Sequence, residues 1–345
     1  MKALVKTADG PGNLELKDVP EPTCAPDGVV IAVKAAGICG TDLHIRAGGF
    51  PTRPPVIIGH EFAGEIAEVG AEVTGWAVGD RVVAEPHRGG CGVCRYCQTG
   101  SVEVCAEKRA IGYKVDGCFT ELVDLPAARL HRLPDHVTFE QAALTEPLAV
   151  GVKAALQRTR VEPEDVAVVT GCGPIGLLAA GAVKAAGARA VVVTGTPADV
   201  DVRLKAALDM GIDRAVDVVN EDLGAVVDDL SGGAGADLVV EATGVSAAIA
   251  QGFDILRIDG RMACIGITGR DEVAIPWDLA MKKAARITFS YSTNWVSWEQ
   301  ALSLIGSGRV RVDEVISGTC PLEDWEQAFD RLERLEAIKI VLTMG

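Results

Sequence analysis

The chain has 345 residues, 48% of them hydrophobic, and a formal net charge of −15. That length allows two domains with separate cores, and an acidic balance without a basic stripe argues against nucleic-acid phosphates as partners. No apolar run approaches membrane-spanning length, and the opening Met1-Lys2-Ala3-Leu4-Val5-Lys6 has no signal-peptide core, so no membrane partner is expected.

Up to about Pro147, short strand-like runs such as Gly28 to Val33 and Arg81 to Ala84 are punctuated by glycine and proline, which predicts a β-rich, barrel-like domain. Two glycine-flanked motifs stand out in it, Gly37-Ile38-Cys39-Gly40-Thr41-Asp42-Leu43-His44 and Gly59-His60-Glu61-Phe62-Ala63-Gly64. Cys39 and His60 are good zinc donors, and Glu61 and Glu146 add carboxylates to a mixed sulfur, nitrogen and oxygen set. Three protein ligands plus a water is the arrangement of catalytic zinc. Singly, a buried cysteine is usually a small core residue; the joint pattern carries the inference. Between these motifs and Glu146, Cys91, Cys94, Cys97 and Cys105 follow the spacing C-x2-C-x2-C-x7-C in a lobe of about 87–106. A site made of thiolates alone is closed, and therefore a structural zinc site. Ten cysteines, four of them needed as free thiolates, fit a reducing cytoplasm better than a disulfide framework. Cys24, Cys118, Cys172, Cys264 and Cys320 are scattered and read as packing residues.

From about Val161 the pattern changes to short apolar strands alternating with alanine-rich helices, the signature of a doubly wound parallel sheet. The expected strands are Val166–Thr170, Ala190–Thr194, Arg214–Val218, Asp237–Glu241 and Arg261–Ile265, with helices over Ile175–Ala186 and Val200–Met210 among the connections. After roughly Ala285 the chain is expected to return to the first domain, ending in a helix near Leu322–Leu335 and a strand Lys339–Leu342. The organisation is thus one domain inserted in another: 1–147 with 286–345, and 148–285.

Gly171-Cys172-Gly173-Pro174-Ile175-Gly176 follows the first of those strands and opens a helix. In that context the first glycine makes the tight turn, the second admits a pyrophosphate to the backbone, and the helix N-terminus stabilises its charge. Thr243, Gly266 and Ile267, after the fourth and fifth strands, are expected to contact the dinucleotide as well. The second strand normally ends on an acidic residue that accepts the ribose hydroxyls of NAD. Here Gly195 and Thr196 stand there instead, and Arg203 or the hydroxyls of Thr194 and Thr196 are placed to hold a 2′-phosphate; Asp199 and Asp201 are the candidates that would restore NAD binding. The segment narrowly favours NADP.

The run GICGTDLH, then GHEFAGEIAEVG, then the four-cysteine lobe, then GCGPIG resembles the zinc-dependent medium-chain alcohol and polyol dehydrogenases over essentially the whole chain. It is closer to the sorbitol and threonine dehydrogenase branches, because Glu146-Pro147 stands where the alcohol dehydrogenase branch has a cysteine ligand. The resemblance implies an α/β protein with a GroES-like β-rich catalytic domain and a Rossmann doubly wound cofactor domain, two zinc ions per subunit, and NAD or NADP. It implies catalytic zinc on Cys39, His60 and Glu61, with Glu146 either a fourth ligand or hydrogen-bonded to a zinc-bound water. It also implies a proton relay from Thr41 through the cofactor ribose to His44, and a homotetramer with a dimer as the alternative. The implied reaction is hydride transfer between NAD(P) and a secondary alcohol, most simply a polyol or sugar-derived alcohol. Tyr291 of the sorbitol branch is retained but Ser290 replaces its arginine, which weakens a plain sorbitol assignment; Tyr291, Ser292 and Asn294 still favour a hydroxylated substrate. An amino-alcohol dehydrogenase acting on threonine is the alternative, and the intact donor set disfavours a non-catalytic zinc scaffold.

Overall fold

The computed structural model describes residues 1–344 and divides into two compact units. The first comprises Met1–Glu146, Thr293–Leu302 and the chain from Ile316 onward; the second comprises Pro147–Ser292 and Ser303–Val315.

The first unit begins with strands β1 (Lys2–Lys6) and β2 (Leu14–Asp18), followed by β3 (Gly28–Gly37), β4 (Val56–Ile57), β5 (Glu61–Val69), β6 (Arg81–Ala84), β7 (Leu122–Pro126) and β8 (Leu130–Arg132). The long strand β3 organises it. Nine of its ten residues GVVIAVKAAG are β-branched or small, and eight of the ten are buried, so both faces and both edges are used. It pairs antiparallel with β5 over Val29–Gly37 and with β7 over Gly28–Ala32. Register shifts between Val30 and Ile31 and between Val33 and Ala35 bend the ladder, as β-bulges do in barrel-like sheets. Ile31, Val33, Phe62, Phe119, Leu125 and Phe329 belong to the core beneath it.

The second unit holds β9 (Val166–Thr170), β10 (Ala190–Gly195), β11 (Arg214–Asp217), β12 (Ala236–Glu241), β13 (Leu256–Cys264) and β14 (Arg286–Phe289). All pairs are parallel, in the order β11-β10-β9-β12-β13-β14. Read in chain order this is 3-2-1-4-5-6, the doubly wound dinucleotide-binding topology, with its switch point between β9 and β12. Every residue of β9 and β10 is buried, as central parallel strands covered on both faces require. The second connecting helix is less regular than its sequence suggests: Val200–Leu204 is π-helical and only Lys205–Asp209 is α-helical.

The boundary expected at Ala285 is corrected by β14, which pairs with β13 from Arg261 to Cys264 and completes the parallel sheet. Only the six-residue helix Trp277–Lys282 precedes it and its residues are largely exposed, so neither length nor hydrophobicity marked it as a sheet strand. After it the chain enters the first unit at Thr293–Leu302, returns to the second at Ser303–Val315, against the single return expected, and ends in the first with β15 (Ile316–Pro321) and β16 (Lys339–Thr343), the latter antiparallel to β3 at Ala35–Gly37. The last helix, Trp325–Glu333, presents Trp325, Phe329 and Leu332 to the core at helical spacing. Among the described residues no helix is long and apolar enough to cross a membrane.

Candidate active site and cofactor cleft

Cys39 lies two residues beyond the end of β3 and forms the N-cap of the helix Gly40–Arg46. His60 and Glu61 stand at the start of β5, which pairs with β3 so that Glu61 is opposite Gly37. Sheet register therefore carries two distant motifs to one point, and the ligand atoms of Cys39, His60 and Glu61 all lie within 4.8 Å of one another. Glu146 lies in the first turn of the helix Thr145–Val152 and acts electrostatically on His60.

Asp42 supports this group from one helical turn on, its Oδ2 accepting the backbone N–H of Cys39 at 2.8 Å and its Oδ1 lying 3.9 Å from His60 Nδ1. Burial pushes the Asp42 carboxyl up. Burial opposes charge on His60, but Cys39, Asp42 and Glu146 outweigh it and hold the imidazole well above its ordinary value. Burial pushes the Glu146 carboxyl up to about 7, with His60 opposing and Glu61 adding to the effect. His60 Nδ1 and Asp42 Oδ1 are buried without a hydrogen-bond partner. Buried polar atoms without partners are costly. A sulfur, an imidazole and carboxylates that leave such atoms uncompensated are the chemistry of a divalent-metal site, so the residues fit zinc.

Sequence reasoning missed Lys339. It lies in β16, 278 residues from Glu61 along the chain, yet its Nζ is 2.7 Å from Glu61 Oε2 and 3.0 Å from Oε1, with both side chains buried. The only signal was one lysine opening the otherwise apolar run Lys-Ile-Val-Leu. Thr41 and His44 lie three apart on the helix Gly40–Arg46, the threonine half-buried and the histidine exposed. His87 is engaged inside the fold, with Nε2 3.4 Å from Glu85 Oε2 and Nδ1 accepting the Gly89 N–H at 3.1 Å.

The four-cysteine lobe forms a second group of metal-competent side chains. Cys94 Sγ lies 3.6 Å from Cys97 Sγ and 3.7 Å from Cys105 Sγ, and Cys105 Sγ lies 3.8 Å from Cys91 Sγ. A tetrahedron with sulfur about 2.3 Å from its centre has edges of about 3.8 Å, so the thiols fit zinc. Backbone N–H groups of Val93 and Cys94 lower the Cys91 thiol to about 6, favouring the thiolate a metal needs.

In the second unit a cavity of about 580 Å³ opens at the ends of β9, β10 and β12, and Gly171, Gly173, Gly195, Thr196, Arg203 and Thr243 line it. Gly171 has φ +98°, which favours glycine, and a Cβ on Gly176 would lie 2.0 Å from the Gly171 carbonyl oxygen. Pro174, Ile175 and Gly176 form the first turn of the helix Pro174–Ala185, whose N-cap Gly173 has no side chain to occupy the free amides. Gly266 and Ile267 follow β13, the latter exposed, and neither lines this cavity. A Cβ on Gly195 would meet Cys172 Sγ at 2.8 Å and Asp199 Cβ at 3.1 Å, so this position has no room for the usual acidic side chain. Asp199 is already engaged, its Oδ2 accepting from Thr196 N at 3.0 Å and Thr196 Oγ1 at 2.9 Å, and its Oδ1 from Arg203 at 3.3 Å.

A 3-2-1-4-5-6 parallel sheet carrying a glycine turn, joined in one chain to a β-rich unit with a Cys, His and Glu group and a four-cysteine lobe, defines a medium-chain dehydrogenase. Residues 25–135 match the alcohol dehydrogenase GroES-like domain and residues 174–307 the zinc-binding dehydrogenase domain. The chain belongs to the zinc-dependent medium-chain alcohol and polyol dehydrogenase family. It is 40% identical over 343 residues to the sorbitol dehydrogenase of Halalkalibacterium halodurans, covering 99% of each chain. It is 38% identical over 348 residues to the L-threonine 3-dehydrogenase of Xanthomonas euvesicatoria, again covering 99% of each. Among solved structures it resembles a protein of Sinorhizobium meliloti 1021, described as a zinc-binding dehydrogenase bound to NADP, with TM-score 0.90 and 29% identity over 99% of this chain and 98% of that one.

Proposed function

We propose that this chain is a two-zinc, NAD(P)-linked dehydrogenase that interconverts a secondary alcohol, of the polyol or sugar-derived class, and the corresponding ketone. The observation that carries the reading is the convergence of Cys39, His60 and Glu61 within 4.8 Å, with unpartnered His60 Nδ1 beside them. Cys39, His60 and Glu61 would hold the catalytic zinc, Glu146 acting as a further ligand or through water, and Cys91, Cys94, Cys97 and Cys105 the structural one. When bound, zinc supplies Lewis acidity toward the alcohol oxygen and the dinucleotide supplies the hydride acceptor.

The chain's residues bind, orient and move the proton. Gly171, Gly173 and the first turn Pro174-Ile175-Gly176 cradle the pyrophosphate, with Thr243 on the cavity wall as a further cofactor contact. Gly195, Thr196 and Arg203 accept a 2′-phosphate, which inclines the cleft toward NADP, the dinucleotide to which the Sinorhizobium protein is bound. Thr41 takes the substrate proton and His44, exposed and one turn along the helix, passes it to water. The sorbitol dehydrogenase relative supports the polyol class. The threonine dehydrogenase relative supports a second reading, in which the substrate is an amino alcohol. Free thiols and family resemblance support a cytoplasmic homotetramer, with a dimer as the alternative.

The test is initial-rate reduction of NAD and of NADP across polyols, simple secondary alcohols and threonine, with and without a zinc chelator. Chelator-sensitive turnover of polyols with little activity on threonine is expected. Preference for threonine selects the second reading, and turnover indifferent to the chelator removes the zinc chemistry.

A further inference from the structure

The Glu61–Lys339 pair is not used by the proposed reaction, and its surroundings leave the carboxylate little freedom. Lys339 Nζ also donates to the carbonyl of Ile38, the residue before Cys39, at 2.7 Å. On another side, a Cβ on Gly37 would lie 2.5 Å from Glu61 Oε2. Glu61 is fully buried and Lys339 is 1% exposed, so water does not relieve either charge. The carboxylate is confined between an ammonium and the Cys39 and His60 donors.

A buried carboxylate needs a positive partner. In the metal-free chain Lys339 is that partner; with a divalent cation seated beside Cys39 and His60 the carboxylate has two. We propose that Lys339 competes with the catalytic metal for Glu61, and so sets how firmly the metal is held and how completely Glu61 ligates it. The proposal rests on the metal reading of Cys39, His60 and Glu61. Lys339 is a positioning residue, acting through Glu61. Any part of the Lys339–Glu61 interaction that the metal must displace weakens metal binding by that free energy. Without the lysine, the metal becomes the carboxylate's sole positive partner and Glu61 becomes a full ligand.

The experiment loads the full chain with Co²⁺ and follows its visible ligand-field bands and its release to excess chelator. Cys39→Ser supplies the background from the four-cysteine lobe. Lys339→Met is expected to slow release from the Cys39 site by about tenfold or more and to alter the bands. Lys339→Arg, which keeps a cation against Glu61, is expected to retain wild-type release and bands. In a Glu61→Gln background, adding Lys339→Met is expected to change neither quantity, because no carboxylate remains to be contested. A folded Lys339→Met protein with wild-type release and bands, or an equal effect in the Glu61→Gln background, would make Lys339 a structural pin and overturn the proposal. If Lys339→Met does not fold, the comparison of Glu61→Gln with the double variant decides, since a difference between them overturns it. Unchanged bands in Cys39→Ser would instead overturn the metal reading, which keeps the two failures apart.

Discussion

Replacing Arg203 by alanine should separate the two dinucleotides. Its guanidinium is 16% exposed and is paired with Asp199 at 3.3 Å, while Nε is buried without a partner. Asp199 is already held by Thr196, so the arginine has donors to spare on the wall of the cleft. A charge-assisted hydrogen bond to a phosphate contributes about 1.5–3 kcal/mol, which is roughly a tenfold to hundredfold rise in KM for NADP when it is removed. NAD has no 2′-phosphate and loses nothing. The truncation also frees Asp199 Oδ1 to accept a ribose hydroxyl, so KM for NAD should stay level or fall. Initial rates with each dinucleotide at saturating alcohol give both values. An equal rise with both would mean that Arg203 only shapes the turn. A rise confined to NAD would mean that it props Asp199 for the ribose; either result refutes the phosphate site.

Cys97→Ser should remove one equivalent of zinc per chain and lower the thermal midpoint, because a closed thiolate site contributes its binding free energy to folding; full zinc content by elemental analysis would contradict this. In the metal-free chain, the Glu146 carboxyl at about 7 against its ordinary 4.5 means that the folded state keeps a proton the unfolded chain gives up between those values. The stability of the neutral carboxyl is therefore lost as pH rises through that window. Glu146→Gln, which cannot ionise, should match the parent near pH 4.5 and exceed it above about 7. Thermal midpoints that diverge in the opposite sense would refute that cause.

Features written in local spacing were legible in the sequence, and features made by long-range pairing were not. Four cysteines within fifteen residues close on one point because the lobe is short, and a glycine turn between a strand and a helix has few alternatives. Cys39, His60 and Glu61 were readable as a group from their donor chemistry, their glycine-flanked motifs and the family resemblance, whereas the strand pairing that sets Glu61 opposite Gly37 was not. Lys339 left almost no trace, since a lysine at the start of a strand is ordinarily solvated and only the pairing of β16 with β3 shows it buried. The role of Asp199 was open for a related reason. An acidic residue four positions after Gly195 suits either the ribose or a helix cap, and the capping bonds to Thr196 show that the backbone has taken it. The strand β14 was misplaced because an exposed edge strand has no hydrophobic pattern to read.

The Lys339–Glu61 pair also fixes an order of events during synthesis. The residues of the second unit from Pro147 to Ser292 have left the ribosome well before Lys339 does, so the parallel sheet can form on its own schedule. Glu61 meanwhile waits through 278 residues of further translation for its ammonium. Until β16 is delivered, β3 has β5 as its one neighbour along Ala35–Gly37, next to Cys39. A metal captured by the nascent chain would meet Cys39 and His60 without the lysine, and so without its competitor for Glu61. On the competition proposed above, the strand β16 would be the last part of that site to arrive.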